Sequence, residues 1–271
     1  TRLLSVVLSN RLLPAIQVDS DFIRTFGESY LEDAVDFETT KILGADILKP
    51  LVAERKIPII TGFWGTNKAG DIALLGRGGS DYSAAILSAI MDSKIVEIWT
   101  DVDGFLSADP RIVPEAKVLE EIGFKEASEL CFFGAKVLHP RTIRPVIKQG
   151  GAVWIKNTFN KNVVGTKITD HAKPALKPVV SISSKPVWLV SLDLFSASPQ
   201  KHRSEVFCEL FNVIHKYGLK LDAIAASEAM ISFCLEEEGL SLGFLEYELC
   251  GIAPVEIRQN RSILCIVSAE S

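Results

Sequence analysis

The sequence has no basic tract, no cysteines at C-x-x-C spacing, no histidines paired at a metal-binding interval, and no apolar run approaching membrane-spanning length. Each absence removes a class of function. With a formal net charge of −5 and no dense Lys/Arg stretch, the chain does not read as a general nucleic-acid binder. The five cysteines (Cys131, Cys208, Cys234, Cys250, Cys265) are odd in number and unpatterned. They read as reduced intracellular thiols rather than a disulfide frame or a zinc site. The four histidines add nothing to a metal case. No signal-peptide pattern opens the chain, so the expectation is a cytoplasmic protein with neither nucleic acid nor membrane among its partners.

What is present is an alternation of short apolar strands with amphipathic helical stretches up to about residue 170. LKPLVAERK leads into IPIITGF, SDYSAAILSAIMDS into KIVEIWTDVDG, and PRTIRPVIKQGG into AVWIKN. This rhythm predicts an α/β domain with a parallel sheet and helices on both faces. In such sheets ligands sit beyond the carboxyl ends of the strands. The loops there, TGFWG, GRGGSD, WTDVDG and the segment after VWIKN, hold most of the glycine and polar chemistry of this half. Turn-formers and lysines in HAKPALKP then mark a linker. Beyond it, PVWLVSLDLFS, SEVFCELFNVIHKYGL, LKLDAIAAS, EAMISFCL and LSLGFLEYEL read as a βαββα module. Its first helix should bury Val206, Leu210 and Ile214, with Phe207 and Phe211 beside them, and stop at Gly218. SILCIVSAES repeats the character of PVWLVSLDLF and reads as the opening of a second copy. The expected divisions are 1–173, a linker and connecting strand over 174–186, a first module over 187–250, and an incomplete second one over 251–271, with both chain ends expected to be cut.

The chemistry-bearing residues each admit two readings. Arg77 stands among glycines at a strand-to-helix junction, where a guanidinium and helix N-terminal N–H groups together suit a carboxylate or phosphate. It also reads as a solvated loop arginine, with Ser80 as N-cap and Asp81 as a first-turn acid. Thr100, Asp101 and Asp103 follow a buried strand, a placement that suits a nucleotide–Mg²⁺ site or an Asx turn equally. Arg111 belongs to the turn signal Asp109-Pro110-Arg111, and Lys136 is either a mobile phosphate-binding charge or a surface lysine. His139, before a proline, reads as a structural hydrogen-bonder.

TGFWG, LLGRGGSDYSAA, IWTDVDGFLSADPR, ELCFFGAKVLHPRTIRP and IKNTFN…GTKI, in this order, resemble aspartate kinase, an amino-acid-kinase superfamily enzyme with C-terminal ferredoxin-like ACT regulatory modules. The second half resembles the first ACT module of the lysine-sensitive type. The resemblance implies transfer of the ATP γ-phosphoryl group to the β-carboxylate of L-aspartate, with Mg²⁺ and with metal ligands left unassigned. It implies that Arg77, with Ser80 and Asp81, binds aspartate; that Thr100, Asp101, Arg111, Lys136 and Val137 line the ATP site; and that Arg77 and Asp101 are the catalytic pair. It implies feedback by an amino acid, lysine being the expected one, through Asp222, Ser227 and Glu228, in a homodimer paired through the ACT modules.

The chain departs from the family in several places. The K-F-G-G glycine loop is absent, Thr1-Arg2 stand where a G-E is expected, and Leu106 replaces a tyrosine of the nucleotide loop. Ala225 and Ala226 stand where lysine-sensitive members often carry threonines. The favoured explanation is that an N-terminal third lies outside the sequence. Two other functions stay open: a non-catalytic ACT-type amino-acid sensor, and a superfamily kinase with a different substrate.

Overall fold

A computed structural model describes residues 1–27, 34–135, 137–170, 179–196, 202–236 and 242–268. The chain divides into two compact units, one built from Thr1–Cys131, Ala135–Ser181 and Val267–Ser271, the other from Phe132–Gly134 and Ile182–Ile266. Among the described residues no helix is long and apolar enough to cross a membrane.

In the first unit the helices are α1 (Arg2–Asn10), α2 (Phe37–Ala53), α3 (Gly79–Ile90), α4 (Phe124–Phe132) and α5 (Pro140–Lys148). Asp36 starts α2 by accepting from the Thr39 backbone N–H at 3.1 Å and the Thr39 hydroxyl at 2.6 Å, which satisfies donors that a helix start leaves free. From there Thr40, Gly44 and Leu48 recur every fourth residue and face inward. Leu48 meets Phe22, Ile23, Val35, Leu75, Ile86 and Ile90 in a shared core.

Three groups of strands complete this unit. β1 (Ala15–Val18) pairs with β2 (Ile57–Ile60) in parallel, and β3 (Trp64–Thr66) with β4 (Ile72–Leu74) antiparallel. The remaining sheet runs in the order β5 (Ile95–Thr100), β7 (Ala152–Asn157), β8 (Thr166–Thr169), β6 (Glu121–Gly123). β5–β7 and β6–β8 are parallel, as the strand–helix rhythm predicts, but β7–β8 is antiparallel. The reason is local: residues 158–165 join β7 to β8 without a crossover helix, and a short connection can only reverse the chain.

The second unit holds β9 (Val179–Asp193), α6 (Arg203–Lys216), β10 (Leu221–Ala226), β11 (Met230–Leu235), α7 (Leu242–Cys250) and β12 (Val255–Ser268). Its sheet order is β10-β11-β9-β12, a ferredoxin-like arrangement. Period-two burial brings Trp188, Val190 and Leu192 of β9 and Ile231, Phe233 and Leu235 of β11 onto one face. Val206, Leu210 and Val213 of α6, with Leu245 and Leu249 of α7, cover it. Val213 therefore takes the fully buried place that the sequence pattern gives to Ile214, which is only partly buried, and Phe211 is 45% exposed. Gly218, at φ 59°, does follow the end of α6.

Two expected boundaries fall inside continuous structure. The connecting strand expected within 174–186 is continuous with the first strand of the module, both lying in β9, while HAKPALKP at 171–178 lies outside the described residues. The expected module end at Cys250 leaves out Ile252, Ala253, Val255 and Ile257, which pack into or against the same core. Leu210→Ala should cost about 2–5 kcal/mol by leaving a cavity. Phe211→Ala, on the wet side of the same helix, should cost under about 1 kcal/mol. Chemical denaturation of the two variants checks this ranking, and equal losses would contradict the assigned core face.

Candidate active site

The first half of the site is built on glycine. Gly76 and Gly78 have φ of 77° and 70°, and Gly78 caps α3 in the left-handed region. A Cβ on Gly78 would stand 2.8 Å from the His139 Cβ and 3.2 Å from the Thr142 Cγ2, so the glycine also permits close approach to the His139–Thr142 turn. That turn is fastened by the His139 carbonyl, which accepts from the Thr142 N–H at 2.9 Å and the Thr142 hydroxyl at 2.6 Å. The 61–65 loop joins them: Phe63 N–H donates to Ser83 Oγ at 3.0 Å, and Ser83 donates to the Gly79 carbonyl at 2.9 Å. Three loops widely separated in sequence thus meet around the start of α3.

Because α3 begins at Gly79, Ser80 is an exposed first-turn residue and not the N-cap. Asp81 beside it is half-buried, and burial raises its carboxyl pKa above the ordinary value. Arg77 is exposed and lines a cavity of about 680 Å³ with Lys41, Tyr82, Phe37, Arg144 and Lys148. Among the described residues this wall carries four cations and no acid. Lys41, Arg144 and Lys148 were not anticipated from sequence. Arg144 and Lys148 are one helical turn apart on α5, a spacing that would have shown the pair.

The second half lies at the ends of two parallel strands. Thr100 of β5 pairs in register with Asn157 of β7, so the polar residues that follow both strands emerge together. The Thr158 N–H donates to the Thr100 carbonyl at 2.8 Å, and Thr100 Oγ1 lies 3.1 Å from Asp101 Oδ1. Asp103 is held differently, accepting from Asn157 Nδ2 at 2.7 Å and Asn160 Nδ2 at 3.3 Å. Neither asparagine is singled out as a candidate from sequence, although the IKNTFN stretch that carries both is, because it closes the apolar run AVWI at a strand's carboxyl end. Asp101 stays exposed beside this anchored pair.

Not every expected residue joins a group. Arg111 turns back onto Asp109, donating through Nε at 3.0 Å and Nη2 at 2.6 Å, and its side chain is 87% exposed. This pairing, with the Arg111 N–H, lowers the Asp109 pKa to about 2. Val137 is half-buried in a turn, and Lys136 lies outside the described residues. None of Ser80, Asp81, Thr100 or Asp101 lines the cavity that Arg77 faces.

In the second unit, the expected regulatory residues separate. Asp222 is the second residue of β10, its side chain only 3% exposed and bonded to Lys185 at 2.6 Å. Ser227 follows the other end of β10, where it closes the turn to Met230. Glu228 is 99% exposed, with Arg203 3.8 Å away. At about 3.3 Å per residue, Asp222 and Ser227 stand roughly 16 Å apart, further than one amino acid reaches.

Two outcomes test this geometry. Gly104 has φ of 129°, and a Cβ there would collide with Thr166 Oγ1, which accepts the Phe105 N–H at 2.8 Å. Gly104→Ala should therefore cost about 1–3 kcal/mol and strip hydrogen-exchange protection from the Phe105 amide, whereas retained protection would contradict the contact. Burial also pushes the Cys131 thiol up to about 12, against a hydrogen bond from the Leu138 N–H that acts the other way. At pH 8 the thiol stays protonated, so iodoacetamide should label exposed Cys208 and Cys250 well before Cys131. Prior labelling of Cys131 would refute this environment.

The amino acid kinase family profile matches residues 1–157. The bifunctional aspartokinase/homoserine dehydrogenase of Haemophilus influenzae is 36% identical over 252 residues, covering 88% of this chain and 30% of that protein. An aspartokinase of Rickettsia felis is 37% identical over 199 residues, covering 71% and 50%. Among solved structures, E. coli aspartokinase III with aspartate and ADP (R-state) matches at a TM-score of 0.81 and 28% identity, covering 98% of this chain and 60% of that one. The same enzyme with lysine and aspartate (T-state) matches at 0.81 and 29%, covering 97% and 59%. The chain thus spans between about a third and three-fifths of the relatives it matches. With more than half its length matched by the family profile, the chain belongs to the amino acid kinase family.

Proposed function

We propose that the chain works as an aspartate kinase, moving the γ-phosphoryl group of ATP onto the β-carboxylate of L-aspartate to give 4-phospho-L-aspartate and ADP. The observation that carries this reading is the match of 98% of the chain to an aspartokinase holding aspartate and ADP. The site chemistry agrees with it. Arg77 offers a charged fork to a substrate carboxylate at the start of α3, where backbone N–H groups also favour an anion. Asp81, its pKa raised by burial, gains from a cationic partner, and the α-ammonium of aspartate supplies one. Ser80, exposed in the same turn, adds a hydroxyl.

Thr100, Asp101 and Val137 are assigned to the nucleotide, together with Lys136 and Arg111. For Arg111 that role requires release from Asp109, an exposed local pair that costs little to break. Asp101 and Asp103 are hard oxygen donors of the kind Mg²⁺ takes alongside phosphate oxygens, and Mg²⁺ would neutralise charge on the transferring group. No general base is required, because a substrate carboxylate is ionised near neutral pH. The work of the side chains is positioning and charge neutralisation.

Regulation by an amino acid with a cationic side chain follows the same relatives, since lysine accompanies aspartate in one aspartokinase III structure. Asp222, Ser227 and Glu228 are the candidates. Lying at opposite ends of β10, they meet one effector only across two copies of the module, which agrees with a homodimer.

Arg77→Ala in the full-length enzyme should raise KM for aspartate about tenfold or more, the loss expected for one charge-assisted contact. KM for ATP should stay near wild type. Equal loss for both substrates would overturn the assignment of Arg77 to aspartate.

A further inference from the structure

The second unit contains a polar cluster built on Asp222, the acid assigned above to a cationic effector, and on Lys185 and Glu236, which that reading does not use. The Lys185 side chain, 12% exposed, ends in an ammonium that donates to Asp222 Oδ1 at 2.6 Å and Glu236 Oε1 at 3.0 Å. Its third neighbour is the Phe132 carbonyl at 3.4 Å, and the Phe132 ring centroid lies 5.6 Å away. A primary ammonium has three N–H donors, and here each has an acceptor, with an aromatic face alongside. The partners of Lys185 come from three distant stretches of chain: Phe132 closes α4, Asp222 is the second residue of β10, and Glu236 follows β11.

Two further facts distinguish this cluster from an ordinary surface ion pair. Asp222 Oδ2 is buried and, among the described residues, has no hydrogen-bond partner, so the acid keeps acceptor capacity that its surroundings leave unused. The two carboxylates also respond in opposite directions. Burial raises the Asp222 pKa against the pull of Lys185, whereas at Glu236 hydrogen bonds from Lys185 and Lys220 outweigh burial and lower it. Lys220 reaches only the outer oxygen of Glu236, at 3.0 Å. Among the described residues, Lys185 is thus the cation that bridges Asp222 and Glu236.

We infer that Asp222, Glu236 and the Phe132 carbonyl form a binding cage for a primary ammonium, which the chain fills with its own Lys185. A free primary amine, including an amino acid with an aminoalkyl side chain, reaches Asp222 only by displacing that internal ligand. Its apparent affinity is then reduced by the small fraction of molecules in which Lys185 has left. The inference rests on the effector reading only in sharing Asp222 with it, and its test reads binding and stability rather than inhibition or activity, so either can fail without the other.

The experiment is chemical rescue in the full chain. Lys185→Ala empties the cage, and n-propylammonium should raise the thermal midpoint of this variant along a saturating curve. Its apparent affinity should be about tenfold or more above that for wild type, the factor one charge-assisted hydrogen bond supplies. Tetramethylammonium, with the same charge and no N–H, should give no such curve, nor should n-propylammonium with Lys185→Ala combined with Asp222→Asn. An absent curve, an equal one in wild type, or one that survives Asp222→Asn would overturn the proposal. Lys185→Met, which keeps the apolar stem, gives a second reading: ammonium chloride should stabilise it more than sodium chloride at equal ionic strength. Equal effects of the two salts would also overturn it.

Discussion

The parallel register of β5 and β7 is the constraint on which the polar end of the first unit depends. It sets Thr100 opposite Asn157, so both strands leave the sheet at one edge and in one direction. An antiparallel pair would have sent their following loops to opposite ends. From that register come the grip of Asn157 and Asn160 on Asp103, the hydrogen bond between Thr158 and Thr100, and the exposure of Asp101 beside a fixed neighbour. Phosphoryl transfer needs little from a protein beyond charges and donors held in place. This edge holds some of them.

The glycine loop supplies a different resource. Around Gly78 the backbone is brought against the His139–Thr142 turn at a distance no side chain tolerates, and Arg77 is displayed from that tight point towards a basic cavity. An acidic chain that gathers Lys41, Arg77, Arg144 and Lys148 around one cavity has concentrated its positive potential where an anion can use it. Asp81, raised by burial one turn away, offers the complementary attraction for a cation. A zwitterionic amino acid carries both charges, and the proposed assignment of aspartate to Arg77 and Asp81 draws on that match.

Much of this was legible in the sequence because it is local. Strand and helix periodicity, the glycine loop and the polar ends of β5 and β7 all follow from residues close together in the chain. What was not legible depends on distance or direction. Nothing in LKLDAIAAS announces that Asp222 pairs with Lys185, 37 residues earlier in the chain. The antiparallel turn of β8 follows from a missing crossover helix, and the deeper burial of Val213 than Ile214 depends on how α6 is rotated over the core, which helical spacing alone leaves open. Ser80 reads as a cap only until Gly78, in a conformation open to glycine, takes that position. The motifs suggested which residues matter; tertiary pairing decided which of them are free to act.

The most direct test of the central claim is the identity of the phosphoryl acceptor. The full-length enzyme should be incubated with ATP, Mg²⁺ and L-aspartate in the presence of hydroxylamine, which traps acyl phosphates as hydroxamates. The account predicts a β-aspartyl hydroxamate whose formation requires both ATP and aspartate and matches the ADP released. ADP release without hydroxamate, or hydroxamate formed equally well from other amino acids, would contradict it.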